Sequence, residues 1–228
     1  MAEFHEFADP AELADFAADK VASDLGRGLS ERGAASLVVP GGRTPAAVLG
    51  KLGKKPLDWA NITVTLCDER WVPEQSPHSN AGMVRSTLLA AADAKFVPLY
   101  NFATSPEEAV ADIEQRLESL PRPWDAVVLG MGDDGHFASL FPGESALAVG
   151  LDLGAQRICV AATGPVEGPR RLSLTLSCLA ETRHLYLLAT GRNKRAVWEA
   201  AASADPRVLP IAALHALAKV SLQFLWCP

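Results

Sequence analysis

The chain has 228 residues, 49% of them hydrophobic and 21% charged, with a formal net charge of −6 at pH 7. That length suits one α/β domain over residues 1–228 with a large core, and the acidic balance argues against nucleic acid or an anionic membrane as a general partner, since both need clustered cations. No apolar run approaches the roughly 18 residues of a membrane span, and Met1-Ala-Glu-Phe-His-Glu6 lacks a basic flank and an apolar h-region, so neither export nor spanning is indicated and a cytoplasmic location is expected.

A phosphorylated small molecule stays compatible with this charge, because it requires only a local positive pocket. Cys67, Cys159, Cys178 and Cys227 are widely spread, with no C-x-x-C pair and no histidines at zinc-ligand spacing. They are expected to be reduced core thiols, with no metal site and no cofactor.

The first helical stretch, about Pro10 to Arg32, places Leu13, Phe16, Ala17, Val21 and Leu25 on one stripe, and Gly33 stops it. A strand at Ser36–Val39 then leads into Pro40-Gly-Gly-Arg-Thr-Pro45. Gly41 and Gly42 free the backbone to approach a ligand, Thr44 can cap, and Pro45 suits the first helical position, so the exposed N–H groups form an anion cradle. The G-x-x-x-x-G-K-[ST] spacing of a P-loop is missing, and plain turn chemistry would also use Gly-Gly before a Pro-initiated helix.

A second apolar strand, Ile62–Cys67, ends in Asp68-Glu-Arg-Trp-Val-Pro73, and Ser79-Asn80 precede an amphipathic run through Met83, Val84, Thr87 and Leu88. A surface turn with Arg70 in a weak ion pair is the bland alternative. Its place at the same sheet edge as the glycine loop favours function. Ser105-Pro-Glu-Glu108 is a capping box that opens a helix through Val110, Ile113 and Leu117, ending before Pro121.

The richest segment is Ala126-Val-Val-Leu-Gly-Met-Gly-Asp-Asp-Gly-His-Phe-Ala-Ser-Leu-Phe-Pro-Gly143. Ala126–Leu129 is a strand buried on both faces, and Gly130, Gly132 and Gly135 turn the backbone sharply beyond its carboxyl end, delivering Asp133, Asp134 and His136 to a crevice. The glycines also fit G-x-G-x-x-G, but that fingerprint needs a long helix and an acidic strand end about 20 residues on. Here Pro142-Gly143 limits the following helix to one or two turns, and Asp152 ends no strand. A tight turn with a solvated histidine is the competing bland account.

Further strands are predicted at Arg157–Ala162, His184–Ala189 and Val220–Trp226. Arg170-Arg171 and Gly191-Arg-Asn-Lys194 add cations near helix starts. Lys194 in a first helical turn opposes the macrodipole, a conflict that a bound phosphate would remove. Loop-sized breaks at Leu52–Pro56, Pro121–Pro123 and Gly164–Pro169 include no interdomain linker. Strand-like and helical runs alternate, which predicts a mainly parallel open sheet with helices on both faces. His5, His78, His184 and His215 have no matching partners, and Trp59, Trp124, Trp198 and Trp226 read as core, whereas Trp71 adjoins the Asp-Glu-Arg cluster.

Four ordered motifs now carry a resemblance across nearly the whole chain. Gly41-Gly-Arg-Thr-Pro45 resembles an S-G-G-S-T-P loop, and Asp68-Glu-Arg-Trp-Val-Pro73 with Ser79-Asn80 resembles D-E-R-x-V-P…S-N. Gly130–Gly143 resembles G-M-G-x-D-G-H-x-A-S-L-F-P-G, and Arg171-Leu-Ser-Leu-Thr175 with Gly191–Lys194 resembles R-x-[ST]-L-T and G-x-x-K. These are motifs of the 6-phosphogluconolactonase family. The resemblance implies a Rossmann-like fold of the type shared with glucosamine-6-phosphate deaminase and ribose-5-phosphate isomerase. It also implies hydrolysis of 6-phospho-D-glucono-1,5-lactone to 6-phospho-D-gluconate in the oxidative pentose phosphate pathway.

On that resemblance His136 is the general base toward water, Asp134 orients the imidazole, and Arg70 with backbone N–H groups of the glycine turn stabilises the oxyanion. Asp68 organises the pocket or pairs with a cation. Gly41, Gly42, Arg43, Thr44, Arg171 and Lys194 hold the phosphate. Pro40 and Arg43 depart from the family's serines, exchanging hydroxyl donors for one guanidinium. Ser139 is expected to cap or pack, since no G-x-S-x-G elbow is present.

The implied partner is a small phosphorylated sugar lactone, and the implied assembly a monomer or weak homodimer. An amino-sugar phosphate deaminase or isomerase shares the G-x-G-x-D-G-H turn, but its pattern continues A-F-N-E-P, and here Phe141 stands where the glutamate belongs. A non-catalytic sugar-phosphate sensor on the same fold is the third reading, disfavoured by the absence of an output module and the presence of His136.

Overall fold

The computed structural model describes residues 2–164, 168–217 and 219–228. Seven parallel strands form the main sheet: β1 (Glu3–Glu6), β2 (Ala35–Val39), β3 (Ile62–Leu66), β5 (Lys95–Val97), β6 (Ala126–Gly130), β9 (His184–Thr190) and β10 (Ser221–Cys227). Their order across the sheet is β1-β10-β9-β6-β2-β3-β5. A smaller antiparallel sheet takes the order β4-β8-β7, from Asp68–Arg70, Arg171–Leu174 and Cys159–Ala162. The helices are α1 (Pro10–Arg32), α2 (Arg43–Leu52), α3 (Asn80–Thr87), α4 (Pro106–Glu118), α5 (Leu147–Leu151), α6 (Leu176–Ala180), α7 (Arg192–Ala201) and α8 (Ala212–His215).

The central strands are nearly continuous Val, Leu and Ala runs because helices and loops cover both of their faces. Leu37, Val38 and Val39 of β2, Val127 and Leu129 of β6, and Leu185 and Leu187 of β9 are buried in one core cluster, which Leu172 and Leu174 of the small sheet join. α1 starts where Asp9 accepts the N–H groups of Ala11 at 2.8 Å and Glu12 at 2.9 Å, and stops at Gly33 with φ +71°. Its predicted stripe is buried at Leu13, Ala17, Val21 and Leu25, while Phe16 is half-buried and packs on His5 and Phe7.

The chain moves one way across the sheet from β2 to β3 through α2, and the other way from β9 to β10 through α7. Right-handed crossovers put these two helices on opposite faces. Their starts therefore part on either side of β6, leaving a crevice beyond the carboxyl ends of β2, β6 and β9, the usual ligand position of an open α/β sheet.

Cys67 joins the two sheets. Its N–H extends the parallel ladder to the Val39 carbonyl at 2.9 Å, and its own carbonyl accepts the Leu174 N–H of the small sheet at 2.8 Å. The strand predicted at Arg157–Ala162 forms only as Cys159–Ala162, and it pairs antiparallel with β8 outside the parallel sheet. β1, β4, β5 and β8, each three or four residues long, offer no apolar run long enough to stand out. The helix expected after Gly135 is also absent: residues 132–140 form turns, with Phe137 bridged to Met131 and Leu140.

Candidate active site

The crevice holds a cleft of about 540 Å³. Gly41, Gly42, Arg43, Thr44, Asp68, Arg70, His136, Arg171 and Lys194 all line it, whereas Asp133 and Asp134, both expected in the crevice, do not. Asp134 stands behind the imidazole. Its Oδ1 lies 2.6 Å from His136 Nδ1 and also accepts the His136 backbone N–H at 3.2 Å. A carboxylate at Nδ1 fixes the ring proton there, leaving Nε2 as the free acceptor. Partial burial works against the Asp134 charge, but the hydrogen bond and charge of His136 outweigh it and hold this carboxyl below its ordinary value of 3.8.

The glycines make this geometry possible. Gly135 takes φ +74°, and a Cβ on Gly132 would overlap the His136 ring and the Asp134 carboxylate. The Gly132 N–H donates to the His136 carbonyl at 2.9 Å and the Gly135 N–H to the Gly132 carbonyl at 3.2 Å. These amides, expected to serve an oxyanion, are spent within the turn. The Ile211 N–H donates to the Gly135 carbonyl at 2.8 Å, so the stretch after α7 supports the turn from outside.

Asp68 is buried at the foot of the cleft, where it accepts the Ser139 hydroxyl at 2.5 Å and the Asn80 amide at 3.3 Å, with Arg171 Nη1 at 3.8 Å. Ser139 thus packs as expected, with its hydroxyl on Asp68. Glu69 turns away from the cleft and accepts the N–H groups of Arg70, Asn80 and Ala81, each at 2.8 Å, and the Ser79 hydroxyl at 3.1 Å. Burial raises its carboxyl above the ordinary range against the pull of those amides.

Asn80, absent from the predicted set, is the organiser of this corner. Its Nδ2 donates to the Asp68 carbonyl at 2.8 Å and its Oδ1 accepts from Arg70 Nη1 at 2.7 Å. A Cβ on Gly41 would collide with its amide. The only sequence signal was the Ser79-Asn80 pair ahead of an amphipathic run.

Arg70 and Arg171 are opposite partners in the β4–β8 register. Burial lowers Arg171 from its ordinary value, opposed by Asp68 and reinforced by Arg70. The Nε atoms of both are buried without a partner among the described residues. Like charges opposite one another across a strand pair are unfavourable, and an anion in the cleft would relieve them.

The N-cap of α2 is Gly42, φ +107°, and that of α7 is Gly191, φ +97°, and neither has a side-chain cap. By contrast Asp9, Ser79, Ser105 and Thr175 cap α1, α3, α4 and α6. Thr44 therefore does not cap: it is the second helical residue, with Oγ1 3.4 Å from Thr190 Oγ1 across the cleft, and Pro45 is the third. Bare N–H groups at two helix starts, with Arg43 and Lys194 in their first turns, make a strongly anion-seeking wall.

One histidine differs from expectation: His184 Nε2 lies 3.5 Å from Asp24, whose other oxygen accepts the Tyr186 hydroxyl at 2.5 Å, whereas His5 Nε2 has no hydrogen-bond partner among the described residues. His184 belongs to a smaller charged cleft of about 190 Å³ at the amino ends of β6 and β9. Trp59, Trp124, Trp198 and Trp226 are core residues, and Trp71 Nε1 donates to the Ala103 carbonyl at 3.0 Å. All four cysteines are free and buried. Among the described residues no helix is long and apolar enough to cross a membrane, and no group of three or more His, Cys, Asp or Glu is placed to hold a metal ion.

The family model for glucosamine-6-phosphate isomerases/6-phosphogluconolactonase matches residues 8–225. A 6-phosphogluconolactonase of Pseudomonas putida is 45% identical over 98% of this chain and 92% of its own length. That of Rhizobium meliloti (strain 1021) is 42% identical over 100% and 99%. Among solved structures, a 6-phosphogluconolactonase from Shewanella baltica OS155 matches with a TM-score of 0.96 at 36% identity, covering 100% of this chain and 98% of that one. A monomeric glucosamine-6-phosphate deaminase matches with a TM-score of 0.81 at 21% identity, covering 99% and 96%, a likeness of fold alone.

Proposed function

The chain belongs to the glucosamine-6-phosphate isomerase/6-phosphogluconolactonase family, and within it we propose that this protein hydrolyses 6-phospho-D-glucono-1,5-lactone to 6-phospho-D-gluconate, the lactonase step of the oxidative pentose phosphate pathway. The observation that carries the reading is the placement of an oriented histidine opposite two uncapped helix starts in one cleft. The names of the full-length relatives support it.

In this mechanism the phosphate sits on the N–H groups beyond Gly41 and Gly42 and on Lys194, with Arg43 and Arg171 adding charge. Fixing the substrate there holds the lactone carbonyl against His136. His136 Nε2 takes a proton from water as its oxygen attacks the carbonyl carbon. Asp134 holds the ring and stabilises the imidazolium that forms. Negative charge gathering on the carbonyl oxygen is met by Arg70, since the Gly132 and Gly135 amides of the turn are already bonded. Collapse of the tetrahedral intermediate breaks the bond to the ring oxygen, which recovers the proton from His136. Asp68 fixes Arg171 and, through Asn80, Arg70.

The deaminase reading lacks its acid, because the ring of Phe141 lies against His136 at the position where that pattern has glutamate. The sensor reading leaves the Asp134–His136 pair without a purpose. In the reading adopted the enzyme takes a small-molecule lactone from the cytoplasm as a monomer or weak homodimer, uses no cofactor and has no nucleic-acid partner.

The test follows the loss of freshly generated 6-phosphogluconolactone against its spontaneous hydrolysis, for wild type and His136→Ala, with unphosphorylated gluconolactone alongside. Acceleration by wild type alone, and only of the phosphorylated lactone, supports the reading. A wild-type rate equal to the blank overturns it.

A further inference from the structure

Phe141 has no polar atom in its side chain and lies outside the residues lining the cleft, yet its ring touches two groups on which the proposed lactonase chemistry rests. The ring centroid is 4.2 Å from that of the His136 imidazole, with the planes inclined by 36°. The guanidinium carbon of Arg171 lies 5.2 Å from the same ring centroid. Phe141 is only 7% exposed, and its neighbourhood is pinned by the Leu140 N–H on the Phe137 carbonyl at 3.0 Å and the Glu144 N–H on the Phe141 carbonyl at 3.4 Å. Its place is therefore set by a folded turn rather than by the ligand.

The face of a phenyl ring is the negative part of its quadrupole and attracts cations. Against a neutral imidazole that attraction is weak. When His136 accepts the proton of the attacking water, the ring meets an imidazolium instead, and the contact strengthens as the reaction advances. An interaction stronger in the transition state than in the ground state raises kcat rather than lowering KM. The same ring steadies Arg171, whose charge is otherwise set against that of Arg70.

We propose that Phe141 is a positioning residue of this lactonase: its aromatic face holds the His136 ring in place and stabilises the imidazolium formed in the reaction, while anchoring Arg171. The inference rests on the lactonase reading. An aliphatic side chain of similar size would fill the space without supplying the π face.

The experiment compares wild type, Phe141→Tyr, Phe141→Leu and a series with mono-, di- and trifluorinated phenylalanine at position 141, in the assay with 6-phosphogluconolactone. Fluorination drains the ring face while nearly keeping its shape. The expected result is a kcat lowered roughly three- to tenfold in Phe141→Leu, retained in Phe141→Tyr, and falling stepwise with fluorine number, with KM changing less than kcat as the hold on Arg171 loosens. A kcat indifferent to fluorination overturns the proposal, whatever Phe141→Leu does to folding. If wild type itself does not exceed spontaneous hydrolysis, the lactonase reading fails first. If wild type is active and the series is flat, only the role of Phe141 falls.

Discussion

Arg70 and Arg171 face each other across the antiparallel β4–β8 pair, so two guanidinium groups enter the cleft side by side with one buried carboxylate, Asp68, near them. An anionic ligand should therefore stabilise the fold as well as occupy it. At about 100 times its Kd a ligand adds roughly 2.7 kcal/mol, or a rise in Tm of about 5–10 °C at this chain length. Differential scanning fluorimetry with 6-phosphogluconate should show that rise in wild type and half of it or less in Arg171→Met. An equal rise in the variant would remove Arg171 from the ligand site.

Asp134→Asn should keep the fold and lower kcat by at least about tenfold, without exceeding the roughly 10²–10⁴ that full loss of the base would cost. The amide accepts more weakly at Nδ1–H and carries no charge to balance the imidazolium. A kcat unchanged in steady-state assays would dismiss the orienting role.

The same pair has a signature in stability. The Asp134 carboxyl titrates below its ordinary 3.8 in the folded chain, so its contribution is fully present above that ordinary value and disappears as pH falls through the lowered one. Urea unfolding should show wild type ahead of Asp134→Asn at neutral pH, with the gap closing in the acid window beneath 3.8. Solvent exposure of the pair keeps the gap small. A gap that widens with acid would contradict the assigned shift.

Gly132→Ala tests the turn itself. The new methyl group would occupy the space of the imidazole and of the Asp134 carboxylate, and the ring at the surface of the cleft can move aside where the backbone cannot. We expect kcat to fall by more than about tenfold with Tm changed by only a few degrees. Wild-type turnover with Ala at this position would mean that His136 works from another orientation.

Lys194→Met should act on the phosphate alone. Hydrogen bonds to a charged group are worth about 1.5–3 kcal/mol, so kcat/KM for the phosphorylated lactone should drop roughly 10- to 100-fold, with the slow reaction of gluconolactone unaffected. Equal losses on both substrates would place Lys194 near the reacting carbonyl.

Much of the site was legible because its parts are chain neighbours. The His136 turn, the Gly41–Gly42 loop and the Asp68–Arg70 triplet each directly follow a Val- and Leu-rich strand, and a parallel sheet sends all three loops to one edge. What escaped notice is nonlocal. Asn80 matters through its bonds to Asp68 and Arg70, and Arg171, although named as a site residue, stands on an unpredicted four-residue strand whose partner lies about a hundred positions away. No periodicity within a short window reports such pairings. Thr44 misled for a different reason: with Gly42 as N-cap, the helix begins before any residue that could cap it. Two of the expected backbone oxyanion donors, the Gly132 and Gly135 amides, are instead engaged in holding the turn together.

Gly42 and Gly191 also bear on any attempt to make this protein hardier. Filling an open helix start with Asp, Asn or Ser is a routine stabilising change, but relative to glycine it gains only a few tenths of a kcal/mol, and φ of +107° and +97° would strain any side chain at Gly42 and Gly191. A carboxylate or hydroxyl placed there would satisfy the amides permanently and compete with the anion they await. These two glycines are closed to that remedy on both counts, by backbone geometry and by their place at the cleft, so heat resistance has to be sought elsewhere in the fold.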